Sequence, residues 1–508
     1  GQQGNIDNYN YDRYNVRANI ESQLARDFKF AMGLSGVLSN RHTPGFGTGG
    51  SDMGSETGWL SIANQTIQMH PYLPEKYNGY WTASQKKNTG LPQSPLAAIY
   101  ESGYKKTRSM DVSANLALSY DAPWLKGLQF KVSGSFDYGT SMNKNLNTPF
   151  DLMMYSGGSW SQVVDPRGKG DGVNLGEGTS YYQYLTGQAG VTYINTFGKH
   201  FVEAMALGEI RDNRSNAHSA YAKLIPFADL PELSYGQPAS SPISGWSSAS
   251  RMAGYVFRAR YNWDERYLAE VTGRYDGSYK FAGMRETRWG FFPSGSVAWN
   301  LAKEPWMQGQ SVFSLLKLRA GYGVTGNSEI TAFLYQDSFA TSNTYNDKVV
   351  AVAERMPNDR LGWESAHMST IGIDMRLVDR VNLTIDLYNT DNKNLLLDVP
   401  QAPSTGFTKY TANVGTVNNK GIEIAFDADI IKTKDWKWNL GANIGMNRNT
   451  VKYLPNGSFR RGFGTPLVEQ IVAEGRDIYT WYMPEWAGVD PETGDPQWWV
   501  YEKETNAD

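Results

Sequence analysis

Between Gly421 and Asn447 the chain reads GIEIAFDADIIKTKDWKWNLGANIGMN. Ile422, Ile424, Phe426, Ala428 and Ile430 alternate with Glu423, Ala425, Asp427 and Asp429. After the polar break Lys432 to Asp435, Trp436, Trp438, Leu440, Ala442, Ile444 and Met446 alternate with Lys437, Asn439, Gly441, Asn443, Gly445 and Asn447. Side chains two apart share one face of a strand, so the segment reads as a hairpin with one apolar and one wet side.

The same rhythm recurs in both directions. Tyr14, Val16, Ala18 and Ile20 share a face, as do Leu128, Phe130, Val132, Gly134, Phe136 and Tyr138, and again Val381, Leu383, Ile385 and Leu387. None of these apolar faces carries a Lys, Arg, Asp or Glu. A Lys or Arg on the lipid face of a barrel costs about 2–4 kcal/mol at mid-bilayer, so an uncharged face is what hydrocarbon demands.

Short and long connections alternate. Tight turns are expected near Ala25, at Asp121 to Lys126, Asn195 to Lys199, Asp264 and Glu265, Asp379 and Arg380, and Lys432 to Asp435. Long Gly, Ser, Asn and Pro-rich stretches fill about residues 39–106, 140–181, 212–250, 277–292, 323–365, 392–419 and 448–478. In outer-membrane barrels short turns face the periplasm and long loops face outside. The count is about fourteen strands between Tyr14 and Met446, with a further pair near Tyr479 and Trp498, so about 14–16 in all. Closing such a sheet on itself leaves every backbone amide paired, which lipid requires. The expected fold is all-β: a large antiparallel transmembrane β-barrel.

Composition agrees. Across 508 residues the mean hydropathy is -0.51, polar for a chain with 13% aromatic residues and 52 glycines. No run reaches the roughly 18 apolar residues of a spanning helix, whereas a spanning strand needs only about 9–11 residues, half of them apolar. Zero cysteines exclude disulfides and thiol chemistry, and a net charge of -3 gives no broad attraction for nucleic acid.

LKLRAGYGVTGNSEI at Leu316 to Ile330 is similar to a hallmark segment of the SusC/RagA-type TonB-dependent transporters. Agreeing pieces occur in order: FFPSGSVAWNLAKEPW before it, then WESAHMSTIGIDMRLVDRVNLTIDLYNTDNKNLLLDVPQAPSTGF (Trp363 to Phe407), NVGTVNNKGIEIAF (Asn413 to Phe426) and GVDPETGD (Gly488 to Asp495). The resemblance is most specific over residues 290–495. It implies a 22-stranded family barrel of which residues 1–508 form one part, without the N-terminal plug, the TonB-contacting segment and the last strands. It also implies outer-membrane import of oligosaccharides or peptides under a SusD-like surface lipoprotein that closes as a lid, driven by TonB and its inner-membrane complex. A dimer of transporter–lid pairs is compatible with it. Outer-membrane lipid would surround the apolar face. No cofactor is implied.

Other motifs have bland readings. Gly45, Gly47 and Gly50 spell G-x-G-x-x-G, but in a Gly, Ser and Thr-rich loop rather than between a strand and a helix. Asp165 to Asp171 and Asp490 to Asp495 offer carboxylates to a cation, yet Asp, Pro and Gly there serve turns equally well. His42, His70, His200, His218 and His367 show no metal-ligand spacing. No catalytic or metal site is expected. Tyr120, Tyr138, Tyr261, Trp263 and Trp299 fit interfacial girdles. Trp59, Trp81, Trp160, Tyr181, Tyr182 and Trp246 fall in or beside expected external loops, where their rings could stack on a ligand or pack the loops together.

Two rivals stand beside the importer. A soluble secreted all-β glycan-binding protein would hide its apolar faces in a sandwich core. An outer-membrane barrel enzyme would gather acid, base or nucleophile at the rim.

Overall fold

The computed structural model describes residues 2–4, 7–45, 57–85, 92–164, 172–237, 242–281, 285–346, 348–455, 457–462 and 469–499. Among these lie fourteen long strands. The first seven are β1 (Asn10–Ala25), β2 (Phe28–Pro44), β3 (Gly103–Asp121), β4 (Leu128–Asn147), β5 (Asn174–Phe197), β6 (His200–Ala222) and β7 (Ile243–Trp263). The others are β8 (Tyr267–Ser278), β9 (Trp289–Asn300), β10 (Phe313–Asn327), β11 (Glu364–Leu377), β12 (Val381–Lys393), β13 (Thr416–Lys432) and β14 (Lys437–Tyr453). They stand in chain order in one 15-stranded sheet, whose remaining strand is the two-residue Gln2–Gln3 beside β1. Among the described residues β14 has one neighbour within that sheet, β13.

The fourteen strands between Tyr14 and Met446 are thus present, but the further pair near Tyr479 and Trp498 does not extend the sheet. Thr480–Tyr482 joins a separate three-stranded sheet, and Pro496–Trp499 pairs with Glu485–Val489. The expected turns connect the strands at one end. In the three-residue connection 264–266, Asp264 and Glu265 both sit at φ 55, the left-handed pair of a turn that matches strand twist.

The long connections are shorter than the sequence suggested, because the strands overrun the apolar belt. β4 runs to Asn147 and β5 starts at Asn174, whereas residues 140–181 read as loop. Beyond the belt neither face meets lipid, so the period-two signal fades while the backbone ladder continues. The connections also hold ordered structure: helices α1 (Thr57–Gln68) and α2 (Pro95–Tyr100), and small sheets. No helix among the described residues is long and apolar enough to cross a membrane.

By contact the chain divides into two units: Gly1–Tyr120, Lys131–Ala189 and Ile210–Arg251 in the first; Asp121–Phe130, Gly190–Glu209 and Met252–Asp508 in the second. In the first unit one face carries the rungs Tyr14–Leu38–Met110, Val16–Gly36–Val112, Ala18–Leu34–Ala114 and Ile20–Met32–Leu116. The opposite face carries Asn15–Val37–Asp111, Arg17–Ser35–Ser113 and Asn19–Gly33–Asn115. Its buried clusters lie in the connections and strand extensions: Ile62 with Ala98 and Ile99; Leu146 with Leu175, Ala222 and Ile225; Ala83 with Ala97 and Leu152.

In the second unit one rung crosses eight strands as Trp263–Tyr267–Trp299–Leu318–Ile373–Ile385–Ile424–Ile444. Its buried cluster, Val417, Val451, Leu454 and Val472, again lies at the long-connection end.

The apolar rungs are not buried in either unit: Val16 is 73% exposed, Val132 59%, Val271 64% and Ile371 63%. Burying one such side chain is worth about 1.5–3 kcal/mol, so water cannot be their intended solvent. A secreted sandwich needs these faces packed in a core, and they are exposed. Aromatic residues bound the belt. Trp263, Tyr267 and Trp299 stack in series at the short-turn end, and Tyr255, Trp289 and Tyr275 at the other. Tyr267 and Tyr275 are eight residues apart on β8, about 26 Å along the strand at about 3.3 Å per residue, close to the roughly 25 Å apolar band of membrane barrels.

Candidate functional site

The side chains that alternate with the apolar rungs form the wet face, and in the second unit they are charged to a degree the sequence reading did not foresee. The polar phase of VFRARYNW supplies Arg258 and Arg260, that of YLAEVTGRYDGS supplies Glu270, Arg274 and Asp276, and that of LKLRAG supplies Lys317 and Arg319. Register then brings unlike charges together. Glu203 on β6, its side chain only 7% exposed, accepts from Arg258 and from Arg260 Nη1 at 3.1 Å. Arg260 also reaches Glu270 at 3.2 Å. Arg274 holds Asp276 at 2.6 Å and Glu209 at 3.3 Å.

On β10, Arg319 donates to Asp374 at 3.3 Å and to Asp386 at 2.7 Å, and Lys317 joins Asp374 at 3.3 Å. A cavity of about 300 Å³ opens on this face, lined by Arg260, Glu270, Ser296, Lys317, Arg319 and Thr370 among others. The second oxygen of Asp386, Oδ1, is buried without a hydrogen-bond partner, as is Arg258 Nε.

Glycines make room for these long side chains. A Cβ on Gly254 would lie 2.1 Å from Asp276 Oδ1, and one on Gly372 would lie 2.4 Å from Asp386 Oδ1 and 2.8 Å from Arg319 Cζ. Past the ion pairs the face turns to amides: Tyr388 donates to Asn447, and Asn449 donates to Asn419 at 2.8 Å.

In the first unit the wet face is mostly uncharged. Thr107 bonds Asn143, Ser109 bonds Ser141 and Ser133 bonds Gln188. Tyr182 donates to Asp111 at 2.8 Å, and the close approach of its ring is permitted by Gly139, whose Cβ would fall 2.2 Å from it. Hydroxyl, amide and ion-pair groups on one wall can exchange hydrogen bonds with a hydrated solute.

The six aromatic candidates do not converge. Trp59 belongs to α1; its side chain lies outside the described residues. Trp81 stacks on Tyr100 at 5.6 Å, carries Lys76 over its ring at 4.1 Å and donates to Glu101. Trp160 stacks on Tyr77 at 4.4 Å and leans on Tyr155. Both therefore pack external segments of the first unit. Tyr181 and Tyr182 lie well inside β5, not in a loop: Tyr181 stacks with Tyr138 at the rim of the apolar face, and Tyr182 points to the wet face. Trp246 stands in the extension of β7 and is 58% exposed.

His200 meets the Tyr261 hydroxyl at 2.7 Å, and His367 meets that of Tyr322 at 2.9 Å. Both tyrosines belong to the apolar phase of their strands, away from the wet face. Asp490 is a turn residue, accepting from the backbone of Glu492 and Thr493 and from Gln497. Gly47, Gly50 and residues 165–171 lie outside the described residues. Among the described residues no three His, Asp or Glu side chains form a metal-sized group.

A family profile described as "TonB dependent receptor-like, beta-barrel" matches residues 57–488. TonB-dependent receptor P3 of Formosa agariphila is 26% identical over 96% of this chain and 47% of its own length. TonB-dependent receptor SusC of Bacteroides thetaiotaomicron is 27% identical over 73% of this chain and 36% of its own. The solved structure of the RagAB peptide importer in the closed-closed state superposes with a TM-score of 0.79 at 22% identity, covering 97% of this chain and 52% of that one. The chain spans about half the length of these relatives, or less.

Proposed function

We propose, since the chain belongs to the TonB dependent receptor-like β-barrel family, that it forms part of the wall of an outer-membrane importer for oligosaccharides or peptides. One observation carries the reading: uncharged, solvent-exposed rungs on one face back directly onto hydrogen-bonding and ionic rungs on the other. Such a sheet separates hydrocarbon from an aqueous passage. A hydrated solute moves along that passage without covalent change, exchanging water for Asn, Ser, Thr and ion-pair partners one rung at a time.

The names of the relatives supply the rest. SusC and RagAB support a SusD-like lipoprotein lid on the outer side and TonB as the source of work, acting through segments other than those described. Whether pairs of transporter and lid associate further is part of the same reading, and two-fold pairing is its expected form.

Uptake by intact cells tests the proposal. Cells expressing the full-length protein should take up fluorescent oligosaccharide or peptide only when TonB and the lid lipoprotein are both present. Unchanged uptake in a TonB-deficient strain would sink it.

A further inference from the structure

On the outer side of the first unit the apolar rungs stop abruptly. Tyr14–Leu38–Met110 is the last of them. The next rung is Asp12–Asn40–Arg108, and the one after is Asn10–His42–Lys106. β4 continues both: the bond from Thr107 to Asn143 sets Met142 and Lys144 beside Arg108 and Lys106. A cavity of about 550 Å³ opens across these two rungs, with Asp12, His42, Lys106, Arg108, Lys144 and Glu177 in its lining.

The charges in it are not equally committed. Glu177 is held by Lys144 at 2.9 Å, and Asp12 has an interaction of its own. Lys106 and Arg108 are both exposed and, among the described residues, form no ion pair; Lys106 rests 4.2 Å over the Tyr104 ring. Their side chains lie on one face of β3, two residues apart, about 6.6 Å along the strand. That spacing lets a guanidinium fork and an ammonium grip one tetrahedral anion from two sides.

Neighbouring strands repeat the pattern. One rung beyond exposed Ile210 on β6, Asp212 is shared by Arg214 at 3.0 Å and Arg251 at 2.8 Å, two cations for one carboxylate.

We propose that this cavity binds the phosphorylated headgroup of a lipid in the outer leaflet. The mouth opens on the face that carries the apolar belt, directly past its last rung and its tyrosine rim of Tyr14 and Tyr181. A lipid whose chains lie along Val16, Val112 and Phe136 therefore delivers its phosphate to Lys106 and Arg108. The inference rests on the membrane reading above for which solvent each face meets.

The test uses full-length protein purified in detergent, with native mass spectrometry counting bound lipid. The probes are phosphatidic acid and the matching diacylglycerol, which lacks the phosphate. The variants are Lys106→Gln/Arg108→Gln and, as a loss of charge away from the cavity at a short turn, Lys434→Gln; heat-modifiable migration on gels checks that each folds.

Wild type and Lys434→Gln should retain phosphatidic acid and release diacylglycerol, and the double variant should retain phosphatidic acid about tenfold more weakly, a loss of about 1.4 kcal/mol. Equal retention by the double variant overturns the proposal, as does equal retention of diacylglycerol. Displacement by millimolar inorganic phosphate would reassign the cavity to the free anion, against the proposal. A protein recovered in aqueous extracts without detergent would instead sink the membrane reading itself.

Discussion

Gly372 stands where Arg319 and Asp386 meet, and replacing it by alanine tests whether the ion-pair wall is as closely fitted as its distances imply. The added Cβ would lie 2.4 Å from Asp386 Oδ1, 2.8 Å from Arg319 Cζ and 3.0 Å from Arg319 Nη1. To restore ordinary contact, Asp386 must withdraw by about 1 Å, which stretches its 2.7 Å bond from Arg319 beyond hydrogen-bonding range. Losing a charged hydrogen bond of this kind costs about 1.5–3 kcal/mol. Removing a glycine from the unfolded chain returns about 0.4–1 kcal/mol. The net expectation is a destabilisation of about 1–2 kcal/mol. Urea unfolding of the full-length protein in lipid vesicles, followed by tryptophan fluorescence, measures it as a lower midpoint at unchanged slope. In an Arg319→Met/Asp386→Ala background the same Gly372→Ala change should be neutral or stabilising, because the atoms it displaces are gone. A Gly372→Ala protein as stable as wild type, or an equal penalty in both backgrounds, would refute the reasoning.

Four further outcomes are expected. Glu203→Ala strands Arg258 and leaves Arg260 with Glu270 alone; discounted for their partial exposure, the loss should be about 2–3 kcal/mol, and Arg258→Met should recover part of it in a mutant cycle. Asp398, in the hairpin Leu396–Pro400/Lys409–Asn413, has its carboxyl held below the usual range, first by Lys409 at 2.6 Å and then by the Thr411 hydroxyl. Its contribution is therefore complete above the unfolded value of about 3.9 and lost as pH falls through the lower folded value. The protection of the hairpin amides, relative to their intrinsic exchange at each pH, should fall in acid, and Lys409→Gln should weaken that pH dependence to what the Thr411 hydroxyl leaves. Trp81→Ala and Trp160→Ala should each lower stability by about 0.5–1.5 kcal/mol while ligand affinity changes less than about twofold; a large affinity loss at unchanged stability would mean the rings stack on ligand. Glu304→Ala should lower the urea midpoint more than Glu304→Gln, since the carboxylate accepts from Trp299, Tyr267 and Arg266 together.

What could be read in advance was what a uniform solvent imposes. Hydrocarbon treats every rung of the belt alike, so Ile385, Ile424 and Ile444 announce their common face without knowledge of register. The girdle residues Trp263 and Trp299 were legible for the same reason. Pairings were not. Glu203 and Arg258 are 55 positions apart, and only the register of β6 against β7 makes them partners. The alternating arginines of VFRARYNW were visible as polar-phase cations, but their carboxylates were not assignable. Strand ends escaped too: NLGEGTS at the start of β5 buries Asn174 and Leu175 side by side, against the strand extensions around it and not against lipid, and so carries no rhythm. Helix α1, TGWLSIANQTIQ, was hidden inside a stretch whose glycines and serines read as loop.

The single-edged strand β14 limits how this sheet can enter a bilayer. Along Trp438 to Met446 its apolar side chains alternate, while every second peptide group looks away from β13. In an antiparallel strand that leaves about four amides and as many carbonyls facing sideways, each costing several kcal/mol where no water can reach. In hydrocarbon, then, β14 requires a further strand bonded along that margin.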